Sequence, residues 1–97
     1  MSKWQQECTR ILRECLKRSD LNQGQRADIW SARKLELEVE ARRTIPTREY
    51  QRVIIADLDL SGEDLSGFDL SRIFFARVKF DEASLVSTNF RQSIFDG

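Results

Sequence analysis

The sequence predicts an α+β fold in which helices close one end of a short solenoid of extended turns. Three observations predict it. Every fifth residue of the second half is large and apolar: Leu60, Leu65, Leu70, Phe75, Phe80, Leu85, Phe90 and Phe95. An apolar stripe at helical spacing runs through the start of the chain. The only proline, Pro46, stands between these two patterns.

The five-residue comb fits neither common element. On an α-helix five residues advance roughly 500°, so successive members would diverge by about 140°. On a straight strand an odd period sends them to alternate faces. The comb becomes a single column only if the chain turns a corner about every five residues, as in a solenoid coil. The residues after each large one suit corners: Ser61-Gly62, Ser66-Gly67, Ser71-Arg72, Asp81-Glu82 and Arg91-Gln92. Two places before each large residue lies a second column: Leu58, Glu63, Phe68, Ile73, Val78, Ala83, Thr88 and Ser93. It is mostly apolar or small, as a second inward position should be. Glu63 is the exception. An unpaired inward carboxylate is costly, so Glu63 is expected at the rim, paired or reaching solvent. Extended backward, the comb reaches Ile55 and Tyr50, with Val53 two before Ile55. The coil is therefore expected to begin near Ile54, with Tyr50 over its mouth.

These units resemble the pentapeptide-repeat family, whose loose consensus is A-(D/N)-L-x-x. Ala83-Ser84-Leu85 and Thr88-Asn89-Phe90 fit well, while Glu63-Asp64-Leu65 and Phe68-Asp69-Leu70 keep the Asp and Leu only. Ala56-Asp57-Leu58 matches the string but lies out of phase. The resemblance covers roughly the last 45 residues. It implies a right-handed quadrilateral β-helix of about two coils, with four repeats per coil. Residues twenty apart would stack: Leu60 on Phe80, Leu65 on Leu85, Leu70 on Phe90, Phe75 on Phe95. Two coils spaced like neighbouring strands give a stack about 10 Å tall.

In chain order, residues 2–19 read as an amphipathic helix. Trp4, Cys8, Ile11, Leu12, Cys15 and Leu16 form its stripe, Ser2 its N-cap, and Glu14 is placed to pair with Arg18. The stripe packs either on the end of this chain's own coil or on a partner helix or second copy. Asp20 to Gly24 reads as a break, with a second helix from about residue 25 anchored by Ala27 and Trp30. In 35–43, Leu35, Leu37, Val39 and Ala41 alternate with charged residues, which suits a strand, while the residue types suit a helix. A helix continuing from residue 26 and buried on two sides is the reading adopted. Thr44-Ile-Pro-Thr47 is the boundary, with Thr44 or Thr47 capping a short turn over 48–52. Residues 1–46 are thus expected to be a helical cap or interaction segment and 47–97 the repeat β-helix. The other end carries no cap and stops one step into a further repeat. An open edge invites pairing, so either two copies meet end to end or the chain is a piece of a longer protein.

Composition bounds the function. The chain has 97 residues and no net charge, with +3 in residues 1–50 and −3 in 51–97. Neither imbalance demands nucleic acid. No apolar run is long enough to span a bilayer and no signal peptide opens the chain, which argues for a soluble, cytoplasmic protein. Export by a route needing no signal stays open. Cys8 and Cys15 share one helix face about 10 Å apart, too far for a mutual bridge, and read as small buried hydrophobes. With no His and no second Cys pair, no metal site, cofactor site or catalytic set is expected. Asp57, Asp59, Asp64 and Asp69 point from different walls and read as turn residues.

What remains is a non-enzymatic protein-interaction or scaffold module. The protein partner or second copy would be met through the N-terminal helix or the open C-terminal coil, with Trp4, Ile11, Leu12, Leu16 and Phe95 as candidate contacts. Nucleic acid and membrane surfaces are disfavoured. The family resemblance supplies an alternative, a DNA-shaped binder or regulator of DNA gyrase, although that role implies a longer and more acidic rod. An Asp at Leu70 or Phe90 is expected to unfold the domain, while Ala at Arg72 or Arg91 should be neutral.

Overall fold

In the computed structural model, residues 3–44 and 52–97 are described; Ser2, Pro46, Thr47 and Tyr50 lie outside them. Two helices precede a small parallel sheet. The elements are α1 (Lys3–Leu16), α2 (Gln23–Thr44), β1 (Val53–Ala56), β2 (Ile73–Ala76) and β3 (Ile94–Asp96).

Helix α1 forms because its apolar residues recur on one stripe and no Gly or Pro interrupts it. Arg10 bridges Glu7 and Glu14 on the outer face. Glu14 therefore does not pair with Arg18, which turns instead to Asp20, two residues on, at 2.8 Å. Helix α2 starts earlier than expected. The Asn22 side chain accepts from the Gln25 amide at 2.8 Å, and Gln25 Oε1 accepts from the Asn22 amide at 3.0 Å. This reciprocal cap satisfies two end donors and draws Gly24 into the first turn rather than leaving it in a break. Arg26 fastens the linker by donating to the carbonyls of Arg18 and Leu21.

Residues 35–43 are helical, as adopted, but only one side is buried. Ala27, Trp30, Lys34, Leu37 and Ala41 face inward, while Leu35 and Val39 are 60% and 42% exposed. The expectation of burial on both sides is corrected. The coil lies on one side of α2, and no described element covers the other.

The strands are ordered β1-β2-β3 and all pair in parallel. Val53 pairs with Ile73 and Ile55 with Phe75; Phe75 pairs in turn with Phe95. Further bridges join Asp59 to Lys79, Asp64 to Ser84, and Asp69 to Asn89. Each of these steps is twenty residues. The first strand begins at Val53, as the backward extension of the comb requires, and Val53 and Ile55 are fully buried.

The core runs along the axis of these turns and under α1. Leu60, Leu65, Leu70 and Phe75 of the comb are buried, with Leu58, Phe68 and Ile73 of the second column. Phe80 and Phe90 pack against this core from partly buried positions. Glu63 is exposed, at the place where an inward carboxylate would have been costly.

Candidate interaction site

The corners set everything else. Backbone φ is positive at Asp57, Gly62, Gly67, Arg72, Arg77, Glu82, Ser87, Gln92 and Gly97, one residue in every five. In several corners the residue after this one donates its amide back across the turn, as Glu63 does to Leu60 and Ala83 to Phe80. A positive φ at the third position of such a turn is the type II signature. The corner amide itself reaches the next turn of the chain. Gly62 donates to the Asp81 carbonyl, Gly67 to Val86, Arg72 to Arg91, and Arg77 to Asp96.

Where an Asp or Asn stands just before the large residue, it has a local task. Asp59, Asp64, Asp69 and Asn89 accept from the amides of Ser61, Ser66, Ser71 and Arg91 at 2.9–3.0 Å. Hydrogen bonds from Ser61 and Ser66 hold the Asp59 and Asp64 carboxyls below the usual carboxylate range. Where the second column turns polar, its hydroxyls are satisfied. Thr88 donates to the Leu65 carbonyl at 2.9 Å and Ser93 to the Leu70 carbonyl at 2.5 Å.

A large apolar side chain at every fifth position, an Asx residue before four of the eight and a positive-φ corner after each mark the repeat unit. Residues 59–97 match the family pattern described as pentapeptide repeats, in eight copies. This segment is a run of pentapeptide repeats. Ala56-Asp57-Leu58 lies ahead of the match, with Asp57 at a corner and Leu58 in the second column. No curated protein and no solved structure matches the chain.

The two ends of the pentapeptide-repeat segment differ sharply. At the first end, β1 is an edge strand, and the helices supply the partners that a neighbouring strand would otherwise give. Thr9 Oγ1 accepts from the Ala56 amide at 3.0 Å, the Ile54 amide donates to the Cys8 sulfur, and Trp4 Nε1 donates to the Arg52 carbonyl at 3.0 Å. These three contacts fall on alternate residues, as the exposed groups of a strand edge do. Helix α2 treats the following turns in the same way. Gln23 Nε2 donates to the carbonyls of Asp64 and Ser66, and Trp30 Nε1 donates to that of Asp69 at 2.7 Å. Lys34 is buried at this junction, with Nζ 3.2 Å from Glu38, 3.3 Å from Ser71 Oγ and 3.6 Å from Asp69. Burial pushes the Asp69 carboxyl up. Hydrogen bonds from Ser71 and the charge of Lys34 outweigh it and hold the group below its usual range. Arg72 reaches the same Glu38 at 3.1 Å.

The second end is open. Phe75, Phe80, Phe90 and Phe95 form one aromatic cluster with centroids 5.1–6.2 Å apart, and Phe95 lies flat on Phe75. Phe75 is buried, but Phe95 is 56% exposed and Leu85 40%. Among the described residues nothing stacks on β3.

The candidate contacts divide between these ends. Ile11 and Leu12 lie in the chain's own core; Leu16 packs against it, and Trp4 is half-buried with its indole N–H engaged. The helical stripe therefore rests on the coil of the same chain. Phe95 alone of the five presents most of its side chain outward. Thr9, Gln23 and Lys34 were not anticipated. Lys34 carried a signal: it sits four after Trp30 and three before Leu37, an inward position on α2, with Glu38 four residues on.

Cys8 and Cys15 are free thiols in the core, and burial pushes Cys8 up to about 11. Among the described residues, no three His, Cys, Asp or Glu side chains gather where a metal ion could be held. No described helix is long and apolar enough to cross a membrane.

Proposed function

We propose that the chain is a non-enzymatic interaction module that docks a protein partner end-on at the coil face beside β3, which the described residues leave uncovered. In this reading residues 47–97 wind as a right-handed quadrilateral β-helix, and residues 1–46 are its helical cap. The steps of twenty residues at four places around each turn support the winding. The contacts of Thr9, Trp4, Gln23 and Trp30 to backbone groups support the cap.

One observation carries the docking site. The comb is buried through Phe75 and incompletely covered after it, with Phe80 and Phe90 partly buried and Leu85 and Phe95 exposed, although the side chains remain as large and as apolar. Solenoids close such an end with a capping element, and an uncovered edge offers both backbone groups and apolar surface. The walls favour a protein over a mimic of nucleic acid. Arg77 pairs with Asp57, and Lys79 sits above Asp59, so two acidic side chains of one turn are offset by basic ones of the next.

Capture on the immobilised chain tests this. Proteins held by the wild type should be lost with Phe95→Glu and with Leu85→Glu, at unchanged helical and sheet circular dichroism. Arg13→Glu, at the capped end, should hold the same set. Equal retention by wild type and both mouth variants would sink the proposal.

A further inference from the structure

Helix α2 carries a second apolar strip that its packing on the coil does not use. Ala32, Leu35 and Val39 are spaced by three and four residues, the seam spacing of paired helices. They lie diametrically across the helix from Trp30, Lys34, Leu37 and Ala41, and all three are exposed. The strip has charged ends of opposite sign. Asp28 stands seven residues before Leu35, and Arg42 seven after it, followed by Arg43. Among the described residues Asp28 and Arg42 have no ion-pair partner, while Arg43 reaches only its neighbour Glu40 at 3.4 Å.

We propose that this strip pairs with the same strip of a second copy of the chain, the two α2 helices running antiparallel about a two-fold axis beside Leu35. The symmetry follows from the residues. Turning the helix about that axis brings Ala32 to within one residue of Val39 of the other copy. It brings Asp28 opposite the other copy's Arg42 and Arg43, at both ends of the contact. A parallel pair would set Asp28 beside Asp28 and Arg42 beside Arg42, so the charges select the antiparallel arrangement. Antiparallel helices also oppose their dipoles. Leu35 and Val39 are the largest exposed apolar side chains on either helix, and they would be covered at the centre of the contact. The acidic Glu36 and Glu40 beside the strip make an anionic membrane surface a poor occupant. The contact is small, and a stable dimer usually buries upwards of about 1,200 Å², so the association is weak and concentration-dependent. It leaves the coil mouths free, and the dimer would present two of them.

Sedimentation equilibrium of the full chain tests the proposal. A monomer–dimer equilibrium is expected in the micromolar range, on the order of 10–100 µM. Leu35→Glu with Val39→Glu should weaken it at least about tenfold. Asp28→Arg alone should weaken it, and adding Arg42→Asp and Arg43→Asp in the same chain should restore it. Leu35→Cys should form a disulfide-linked dimer under mild oxidation, because Cys8 and Cys15 are buried. A chain that stays monomeric at all concentrations overturns the proposal. So does a dimer that survives Leu35→Glu with Val39→Glu but is lost with Phe95→Glu, which would place the contact at the coil mouth.

Discussion

At the corner positions, six of the nine residues with positive φ are not glycine. A side chain in this region costs about 1–2 kcal/mol of backbone energy, so the repeats carry strain at Asp57, Arg72, Arg77, Glu82, Ser87 and Gln92. At Asp57, Arg72 and Arg77 the corner amide donates to a carbonyl of the next turn, which helps hold the residue in place. Gly62 isolates the cost. A Cβ built there meets nothing within 4 Å, so Gly62→Ala adds conformational strain and no clash. Gly62→Ala should lower unfolding free energy by about 1 kcal/mol, and Glu82→Gly should leave it unchanged or raise it slightly, both read by urea denaturation. A fall at Glu82→Gly as large as at Gly62→Ala would show that backbone φ is not what limits these corners. The comb of Leu60 to Phe95 could be read directly because large apolar residues at a fixed interval leave little room for another geometry. The type II corners could not be read at Arg72 or Glu82, since neither residue type favours positive φ.

At the scale of elements, α1 serves as a substitute strand for the edge of β1. Thr9 is its clearest marker, a residue only 4% exposed whose hydroxyl accepts from the Ala56 amide. Thr9→Val keeps the shape but leaves that amide buried and unpaired, which should cost about 1–3 kcal/mol. The loss should appear first as α1 lifting from the coil. The raised thiol of Cys8 makes it inert while α1 is seated, and the variant should expose Cys8 and Cys15 to a thiol reagent faster than the wild type at equal temperature. Unchanged labelling would mean that the hydroxyl contributes nothing to seating the helix. The existence of both helices was legible from Trp4–Leu16 and from the residue types after Gln25. Their ends and partners were not. The start of α2 depends on whether Asn22 and Gln25 choose each other, and the partner of Arg18 depends on side-chain reach. Both are settled by three-dimensional neighbours. Lys34 shows the limit most clearly. Its charge marks it as a surface residue in the chain, yet Glu38, Asp69 and Ser71 from two separate elements make its burial tolerable.

For the molecule as a whole, the comb is uniform along the chain but its burial is not. Leu70 is fully buried and Phe90 only partly so. The sequence treats these positions as equivalent, because both carry the same kind of side chain at the same phase. The helices cover one mouth only, and this makes them different. Leu70→Asp should therefore destabilise the chain by about 4 kcal/mol or more and unfold it, while Phe90→Asp should lower the melting temperature and leave a folded chain. Equal losses at both positions, followed by thermal circular dichroism, would argue that the last turn is as closed as the first. Arg72 also departs from its place as a neutral wall residue, because it shares Glu38 with Lys34. Its removal takes from Glu38 one of its two cationic partners, a contact that Arg91→Ala does not break.

The step of twenty residues between paired positions has a consequence for how such a chain can change length. Ile73 stands over Val53 and Phe95 over Phe75 only while the spacing stays a whole circuit. Inserting five residues between β2 and β3 would preserve the phase of the column yet break the twenty-residue register that pairs β3 with β2. Inserting twenty would restore each residue to its own vertical file. Strand pairing is therefore quantised: between two paired strands, only a change of twenty residues keeps each side chain in its own vertical file.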